Sequence, residues 1–222
     1  MERSIIITAG GIGKRMGGNQ PKQFLMLAGK PVLMHTIERL HQFDPSAQLI
    51  ITLPEIHINS WQSLVSIHGF TIQHEIVAGG KERFHSIQNA LPLCIGEIIA
   101  VHDGVRPFVS NETLQHLFST VLEKKAVIPV VLPKESMRKV EGETSHAVER
   151  SAYRVVQTPQ VFTAEILRKA YEQPFTEFIT DDASLVEQLG VKIHLVEGND
   201  ENIKLTTPID LVLGELILKN KS

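Results

Sequence analysis

Short runs of aliphatic and β-branched residues alternate along the chain with longer segments in which apolar residues recur every three or four positions. The short runs are bounded by Gly, Pro, Asp or Asn, as strands commonly are. They lie at 5–8, 48–53, 71–77, 98–102, 126–132 and 192–196. The segments with helical spacing lie at 31–43, 56–67, 83–91, 111–124, 164–172, 181–189 and 208–218. This alternation predicts an α/β fold. We expect a three-layer α/β/α domain over residues 1–222, with a mostly parallel sheet and with ligands at the carboxyl ends of its strands.

One polar stretch, 134–154, interrupts the alternation of strands and helices. It contains Glu-Gly-Glu at 141–143 with alternating residues on both sides, a pattern typical of a β-hairpin that projects from the sheet. An arm with so few apolar residues buries little surface by itself. It therefore packs on a second subunit or forms a mobile flap, and the frequency of homodimers favours a dimerisation arm.

Composition restricts the possible partners. With 222 residues, 42% of them hydrophobic, the chain is long enough for one substantial core. Its formal net charge of −3 supplies no overall positive field, so we expect no nucleic acid and no membrane partner. Any anionic ligand must then be held by local charge. A single cysteine, Cys94, excludes an internal disulfide, and no apolar run approaches the length of a membrane span. We expect a cytoplasmic protein.

A loop rich in glycine follows the first predicted strand. Gly10, Gly11 and Gly13 allow backbone N–H groups to approach phosphate oxygens without interference from Cβ atoms. Arg15 and Lys22 add positive charge to the same loop. Such charge stabilises the transition states of phosphoryl and nucleotidyl transfer. The loop at 10–22 therefore predicts a binding site for a nucleoside triphosphate.

Spacing excludes two familiar phosphate-binding loops. A Walker P-loop places Ser or Thr after Gly-Lys, whereas Lys14 is followed by Arg15. A dinucleotide fold needs a helix directly after its glycines and an acidic residue about 20 residues onward, at the end of the second strand. Here the second predicted strand ends at Leu53, about twice as far along, and loop residues continue to Lys22.

Charged residues also follow the predicted strand at 98–102. Asp103 and Arg106 stand at its carboxyl end, on the side of the sheet where the glycine loop lies. A carboxylate beside a triphosphate implies Mg²⁺, which is usually bound by one or two carboxylates together with phosphates and water. A turn with a local ion pair is the alternative interpretation. His102 precedes the carboxylate in the strand, so its side chain points to the opposite face and we expect it in the core.

Several motifs occur together in a fixed order. They are Ala-Gly-Gly-Ile-Gly-Lys-Arg-Met at 9–16, Pro-Lys-Gln at 21–23, Gly-Gly-Lys-Glu-Arg at 79–83, His-Asp-Gly-Val-Arg-Pro at 102–107, Thr-Pro-Gln at 158–160, Thr-Asp-Asp-Ala at 180–183 and Asn-Ile-Lys at 202–204. In this order they resemble the 2-C-methyl-D-erythritol 4-phosphate cytidylyltransferases, and the resemblance spans nearly the whole chain. It implies a single-domain, Rossmann-like nucleotidyltransferase fold. It also implies a homodimeric, Mg²⁺-dependent enzyme that joins CTP to a polyol phosphate, methylerythritol phosphate, and releases pyrophosphate.

The resemblance further implies which residues handle the nucleotide. Arg15 and Lys22 would bind the triphosphate and stabilise charge as pyrophosphate leaves, and Lys204 would assist from the opposite edge. Asp103 completes this catalytic set. The nucleotide-binding residues would be Gly10, Gly11, Gly13, Gly80, Lys81 and Ser86, of which the last three lie around cytosine and ribose.

A second set of implied residues handles the other substrate. Asp103 would organise the metal and the sugar phosphate, while Arg106 and Thr180 contact the polyol phosphate. Arg150 and Thr158 would contact the same substrate in the other subunit, because family members place these residues on an arm that crosses the dimer. The arm inferred from the polar stretch agrees with this arrangement.

Two other functions are open at this point. A cytidylyltransferase for another polyol phosphate, such as ribitol 5-phosphate, shares the residues that bind phosphate. A nucleotide-binding regulatory protein could keep the fold without catalysis. The presence of Arg15, Lys22, Asp103, Arg150 and Lys204 favours an enzyme.

Overall fold

The computed structural model describes residues 1–11 and 21–221 of the chain. The strands are β1 (Arg3–Thr8), β2 (Met26–Leu27), β3 (Lys30–Pro31), β4 (Gln48–Leu53), β5 (Glu75–Ala78), β6 (Ile98–Asp103), β7 (Ala126–Val131), β8 (Arg138–Glu141), β9 (Thr144–Ala147), β10 (Val155–Val156), β11 (Gln160–Thr163) and β12 (His194–Glu197). The helices are α1 (Val32–Phe43), α2 (Glu55–Ile67), α3 (Arg83–Ala90), α4 (Asn111–Lys124), α5 (Ala164–Ala170), α6 (Asp182–Glu187) and α7 (Pro208–Lys221). Strands and helices alternate through most of the described chain, as predicted.

The central sheet is mixed, with mainly parallel pairs. Strand β1 pairs in parallel with β4 on one side and β6 on the other, and β4 pairs in parallel with β5. Beyond β6 the antiparallel strand β11 joins it to β7, which pairs in parallel with β12. The chain crosses from the β5 side of β1 to the β6 side, and such a reversal in strand order opens a crevice at the carboxyl ends of the strands.

Hydrophobic residues cover both faces of the sheet. Ile5 and Ile7 of β1 pack with residues of α1, α2 and α4 in one core cluster. Ile6 faces the other way and packs with residues of α3, α5 and α6 in a second cluster. Successive side chains of a strand point to opposite faces, so a strand in a sheet covered on both sides is apolar at every position. This arrangement confirms the predicted three-layer α/β/α fold.

Several of the predicted element boundaries are wrong, and four strands outside the hairpin were missed. Strand β5 begins at Glu75 instead of 71. The residue before it, His74, accepts a hydrogen bond from Trp61 Nε1 of α2, so this segment packs on the helix before the strand begins. Strand β12 begins at 194, where its register with β7 starts, and α6 is shorter than the predicted helix at 181–189. Strands β2, β3 and β10 were missed because each has only two residues, and β11 was missed because Gln160 and Thr163 leave it only two apolar residues.

The stretch at 134–154 forms the predicted projecting β-hairpin. Strands β8 and β9 pair only with each other in the described chain, and every residue in them is exposed. Gly142 has φ of 60° at the first central position of the two-residue turn, which requires the left-handed region and favours glycine. The dimerisation role of this arm stays a prediction. None of the described helices has the length and apolar content to cross a membrane.

Candidate active site

A cavity of about 400 Å³, here called the strand-end cavity, opens at the carboxyl ends of the central strands. Thr8, Thr52 and Asp103 border it from β1, β4 and β6. The remaining lining comes from the glycine loop, from the segment that follows β5 and from a loop late in the chain; it includes Gly10, Gly11, Lys22, Gly80, Lys81, Arg83, Ser86 and Lys204. The position agrees with the crevice expected from the strand order.

The backbone after the glycine loop fixes Lys22 at the cavity wall. Residues 22–24 form a short 3-10 helix, and Phe24 at its end is buried and stacks on Trp61 with ring centroids 5.8 Å apart. The buried Gln23 side chain donates from Nε2 to the Ala9 carbonyl at 2.6 Å, which ties this helix to the loop after β1. A Cβ atom on Gly11 would lie 2.7 Å from Lys22 Cε, so a larger residue here would displace the end of the lysine side chain.

A glycine turn after β5 forms another part of the wall. Ser86 Oγ accepts a hydrogen bond from Gly80 N at 3.0 Å and donates to Glu82 O at 3.1 Å, so its hydroxyl holds the backbone of this turn. A Cβ atom on Gly80 would overlap the Cβ atom of His85. The close approach of these backbones therefore requires glycine here.

Asp103 is the buried charge at the centre of the site. It is 7% exposed, and its Oδ2 atom receives Lys204 Nζ at 3.0 Å and Arg106 Nε at 3.1 Å. Burial opposes ionisation, but Lys204, Arg83 and Arg106 outweigh it and hold the pKa of Asp103 well below its usual range. The carboxylate is therefore ionised at neutral pH. Its Oδ1 atom takes part in neither ion pair.

His102 organises this region from the core side. Arg106 O can only accept, so His102 Nε2–H donates to it at 2.9 Å, and Nδ1 then accepts from the Thr158 hydroxyl at 3.1 Å. Thr158 Oγ1 in turn accepts from Asp103 N at 3.0 Å. Burial lowers the pKa of His102 to about 4, so the imidazole is neutral at pH 7. The prediction that His102 lies in the core is confirmed.

A side pocket of about 320 Å³ adjoins the strand-end cavity. Arg83, Asp103 and Lys204 line both spaces. The rest of the side pocket consists mainly of polar residues, namely Arg106, Gln157, Thr158, Gln160, Thr180 and Asp181. Two spaces that share a carboxylate and two cations can hold two anionic ligands with their charged groups adjacent.

A buried asparagine joins the walls of the side pocket. Asn202 is fully buried; its carbonyl accepts from Arg106 Nη1 at 2.7 Å, and its Nδ2 donates to Thr158 O at 2.8 Å. Gln160, which is 1% exposed, bonds through Nε2 to Asp181 and through Oε1 to the Ala183 amide. Asp181 also caps α6 with a reciprocal capping box. These contacts fix the loops that carry Lys204 and Thr180.

The donor set at Asp103 fits a magnesium ion held mostly by substrate. The described residues contain no group of three or more His, Cys, Asp and Glu side chains arranged to bind a metal. Mg²⁺ commonly binds through one or two carboxylates plus phosphate oxygens and water, and does not need a cage made by protein alone. Asp103 Oδ1, outside both ion pairs, is the atom suited to that contact.

Comparison with known proteins identifies the family. Residues 4–220 match the family model described as IspD: 2-C-methyl-D-erythritol 4-phosphate cytidylyltransferase. The chain belongs to this family.

Individual relatives agree with this assignment. The 2-C-methyl-D-erythritol 4-phosphate cytidylyltransferase of Bacteroides fragilis is 51% identical over 219 residues, 98% of this chain and 100% of the relative. That of Thermus thermophilus, a solved structure, is 30% identical, with a TM-score of 0.79 over 99% of this chain and 100% of that one. The 4-diphosphocytidyl-2C-methyl-D-erythritol synthase of Anaerococcus prevotii has a TM-score of 0.83 over 98% of this chain and 96% of that one. At 24% identity it supports the fold alone. The predicted Rossmann-like nucleotidyltransferase fold is confirmed.

The structure of this cytidylyltransferase family member brings most of the predicted site residues together. The strand-end cavity contains Gly10, Gly11, Lys22, Gly80, Lys81, Ser86, Asp103 and Lys204. The side pocket contains Arg106, Thr158 and Thr180. Gly13 and Arg15 lie outside the described residues.

Two residues predicted to serve the site of the other subunit, Thr158 and Arg150, lie at different places in the single chain. The Thr158 hydroxyl bonds Asp103 and His102 of its own chain, and its contact with substrate in the other subunit stays a prediction. Arg150 lies at the base of the arm, donates to Lys134 O at 2.7 Å and borders a separate groove. A single chain therefore does not bring Arg150 to Asp103.

Four residues of the site were missed as participants. Arg83 reaches both spaces, Gln23 fixes the glycine loop, and Asn202 and Gln160 fix the side pocket. Each of them lies inside one of the motifs at 21–23, 79–83, 158–160 and 202–204, and this was the only feature of the sequence that pointed to the site. Burial of a polar side chain depends on the fold, and no local pattern revealed it.

Proposed function

We propose that this chain is a Mg²⁺-dependent cytidylyltransferase that joins CTP to 2-C-methyl-D-erythritol 4-phosphate. The products are 4-diphosphocytidyl-2-C-methyl-D-erythritol and pyrophosphate, in the non-mevalonate route to isoprenoid precursors. Membership of the family supports the activity. The observation that carries the proposal is the meeting of two polar spaces at Asp103, Lys204 and Arg83, since the reaction needs two phosphate groups side by side.

The strand-end cavity is the proposed site of CTP. The backbone of Gly10 and Gly11 and the Lys22 ammonium surround the triphosphate, together with Arg15 and Gly13 from the part of the loop outside the described residues. The turn that carries Gly80 and Lys81 lies across the cavity. It surrounds cytosine and ribose through backbone groups that Ser86 holds in place.

The side pocket is the proposed site of the polyol phosphate. Arg106 and Thr180 contact the phosphate group, and Asn202 and His102 hold the Arg106 loop from behind. Thr158 completes the wall from the same chain. Bound in this way, the phosphate monoester lies beside the boundary shared with the strand-end cavity.

Group transfer follows from this arrangement. A phosphate oxygen of the polyol phosphate attacks the α-phosphorus of CTP, and the new P–O bond forms as the bond to the β-phosphate bridging oxygen breaks. Pyrophosphate leaves with the electron pair. No general base is required, because a phosphate monoester has a second pKa of about 6 and is mostly dianionic near neutral pH. Lys22, Arg15 and Lys204 stabilise the charge on the α-phosphoryl group and on pyrophosphate.

In this reaction Asp103 positions the charged groups that contact the substrates. Its Oδ2 atom fixes Lys204 and Arg106, and its Oδ1 atom would hold Mg²⁺ against the phosphate oxygens. When bound, the ion supplies neutralisation of phosphate charge. We also propose a cytoplasmic location, where CTP is available and the buried thiol of Cys94 needs no partner.

The arm supports a proposal that two subunits share each site. Arg150 lies on an exposed arm and away from the site of its own chain, which supports a contact with the site of a neighbouring subunit. Mixing Arg150→Ala with Asp103→Ala subunits should restore part of the activity, because the hybrid dimer contains one intact site. Stable heterodimers with no recovered activity would rule out sharing through this residue.

Removal of Lys22 tests the assigned chemistry. We expect Lys22→Ala to lower kcat/KM for CTP by about a hundredfold or more, because one preorganised charge is lost from the transition state. Lys169→Ala, which truncates an exposed lysine of α5, is the matched control. Pyrophosphate release measured in a coupled assay reports both. Equal turnover in the two variants would contradict the role of Lys22.

A further inference from the structure

A buried carboxylate lies behind the site and has no part in the chemistry described above. Asp182, the first residue of α6, is fully buried. Its Oδ2 atom receives Arg83 Nη2 at 2.6 Å, and its Oδ1 atom receives the Tyr171 hydroxyl at 2.6 Å. The two oxygens therefore have one partner each, one of them in the active site and the other in the core.

Tyr171 is held firmly enough to act as a fixed donor. It follows α5 and is 4% exposed. Its ring stacks on Phe84 with centroids 4.8 Å apart, and its carbonyl accepts from Gln88 Nε2 at 3.1 Å. Burial and the neighbouring Asp182 raise the pKa of the Tyr171 hydroxyl well above its usual value, so it keeps its proton. The hydroxyl can then only donate to the carboxylate.

Arg83 stands where the two substrate spaces meet. It is the first residue of α3 and borders the strand-end cavity, the side pocket and a third, aromatic cavity of about 600 Å³. Burial opposes its charge, but Asp182 and, more weakly, Asp103 outweigh this and hold the pKa of the guanidinium above its usual value. Asp182 thus holds the guanidinium in an ion pair, while Asp103 attracts it from the lining of both substrate spaces.

We propose that Tyr171 is a positioning residue whose hydroxyl fixes the Asp182 carboxylate so that Arg83 points to the junction of the CTP and polyol phosphate sites. A carboxylate bonded through one oxygen can rotate about its Cβ–Cγ bond. A second hydrogen bond on the other oxygen sets its plane and so the direction of the Arg83 pair. Without it, Arg83 is free to turn towards Asp103. This inference rests on the proposed function.

Tyr171→Phe is the direct test, because it removes one oxygen and keeps the ring on Phe84. Ser119→Ala removes a hydroxyl from an exposed residue of α4 and is the control. We expect Tyr171→Phe to weaken CTP binding, measured by calorimetry without the polyol phosphate, by about tenfold, as for loss of a hydrogen bond to a charged group. KM for CTP should rise with it, while kcat changes less. The control should leave both unchanged.

A double-mutant cycle separates positioning from a general loss of stability. In an Arg83→Met background the guanidinium is absent, so Tyr171→Phe should cause no further loss of CTP affinity. An equal further loss in that background would overturn the proposal, as would normal CTP affinity in Tyr171→Phe or in Arg83→Met alone.

A second variant covers the case in which Tyr171→Phe does not fold. Asp182→Asn keeps the shape of the side chain and removes the charge that holds Arg83. It should weaken CTP binding to a similar extent, again only when Arg83 is present, and unchanged affinity would refute the proposal. If the wild-type chain fails to make product from CTP and methylerythritol phosphate, the proposed function fails instead. An active wild type with a normal Tyr171→Phe variant overturns only the positioning role.

Discussion

Acidification should destabilise this fold through His102 before it affects the carboxylates. The imidazole is fully buried, with Nε2–H bonded to Arg106 O and Nδ1 accepting from Thr158. A proton added at Nδ1 removes that acceptor and places a charge in the core. His102→Gln deletes the titrating group while leaving a side chain that can still form hydrogen bonds.

The magnitude follows from the difference between the folded and unfolded pKa values. His102 has a pKa of about 4 in the fold against the ordinary value of 6.5. The unfolded chain therefore binds a proton that the folded chain excludes, and the free energy of unfolding falls as pH drops from about 6.5 towards about 4. At pH 5 these values correspond to a loss of about 2 kcal/mol relative to pH 7.5.

Urea unfolding of the wild type and His102→Gln at pH 7.5, 6 and 5 measures this loss. Burial also lowers the pKa of His35 and His74, but these groups are present in both proteins and cancel in the difference. The wild type should lose about 2 kcal/mol more than the variant between pH 7.5 and 5. His116→Gln, at an exposed histidine of α4, controls for removal of an imidazole from the surface. A wild-type-to-variant difference that is the same at pH 7.5 and pH 5 would refute the buried neutral imidazole.

Three further substitutions separate positioning from stability. Gly11→Ala should lower CTP turnover at least tenfold, because the new Cβ displaces the flexible end of Lys22. Since only this end moves, the free energy of unfolding should change by less than about 1 kcal/mol. A large loss of stability would contradict this explanation. Gly96→Ala should lower the free energy of unfolding by about 2 kcal/mol or more, because its Cβ meets the backbone at Ser4 N. Thermal unfolding of the variant measures this loss. Gln160→Leu should lower the free energy of unfolding by about 2 kcal/mol, because the Ala183 amide and Asp181 lose their partner. It should also raise KM for the polyol phosphate. An unchanged free energy of unfolding together with an unchanged KM would contradict the assigned contacts.

Much of the architecture could be predicted from the chain because the signal was local. Strand β1 is apolar at successive positions since both faces are covered, and α4 was placed at its observed bounds. The arm followed from its polar alternation and from the glycine that its turn requires. Strand β11 could not be found in this way, because its pairing with β6 and β7 depends on strands distant in sequence.

Some of the site residues could also be predicted from local sequence, whereas contacts between distant segments could not. Asp103 and Lys22 were predictable because one ends a strand and the other belongs to a glycine-rich loop, whereas Lys204 was expected only from the family resemblance. The contact of Thr158 with Asp103 could not be predicted, because it exists only once β11 has paired with β6. Arg83 and Asp182 are 99 positions apart, and nothing in either segment alone indicates their pairing.

Product identity is the most direct measurement of the proposed function. The purified chain with MgCl₂ should be supplied with CTP, UTP, ATP or GTP and with either methylerythritol phosphate or ribitol 5-phosphate, and the products followed by mass spectrometry and ³¹P NMR. We predict 4-diphosphocytidyl-2-C-methyl-D-erythritol and one equivalent of pyrophosphate when CTP and methylerythritol phosphate are present together. Turnover of ribitol 5-phosphate without turnover of methylerythritol phosphate, or no pyrophosphate release from CTP with either acceptor, would contradict it.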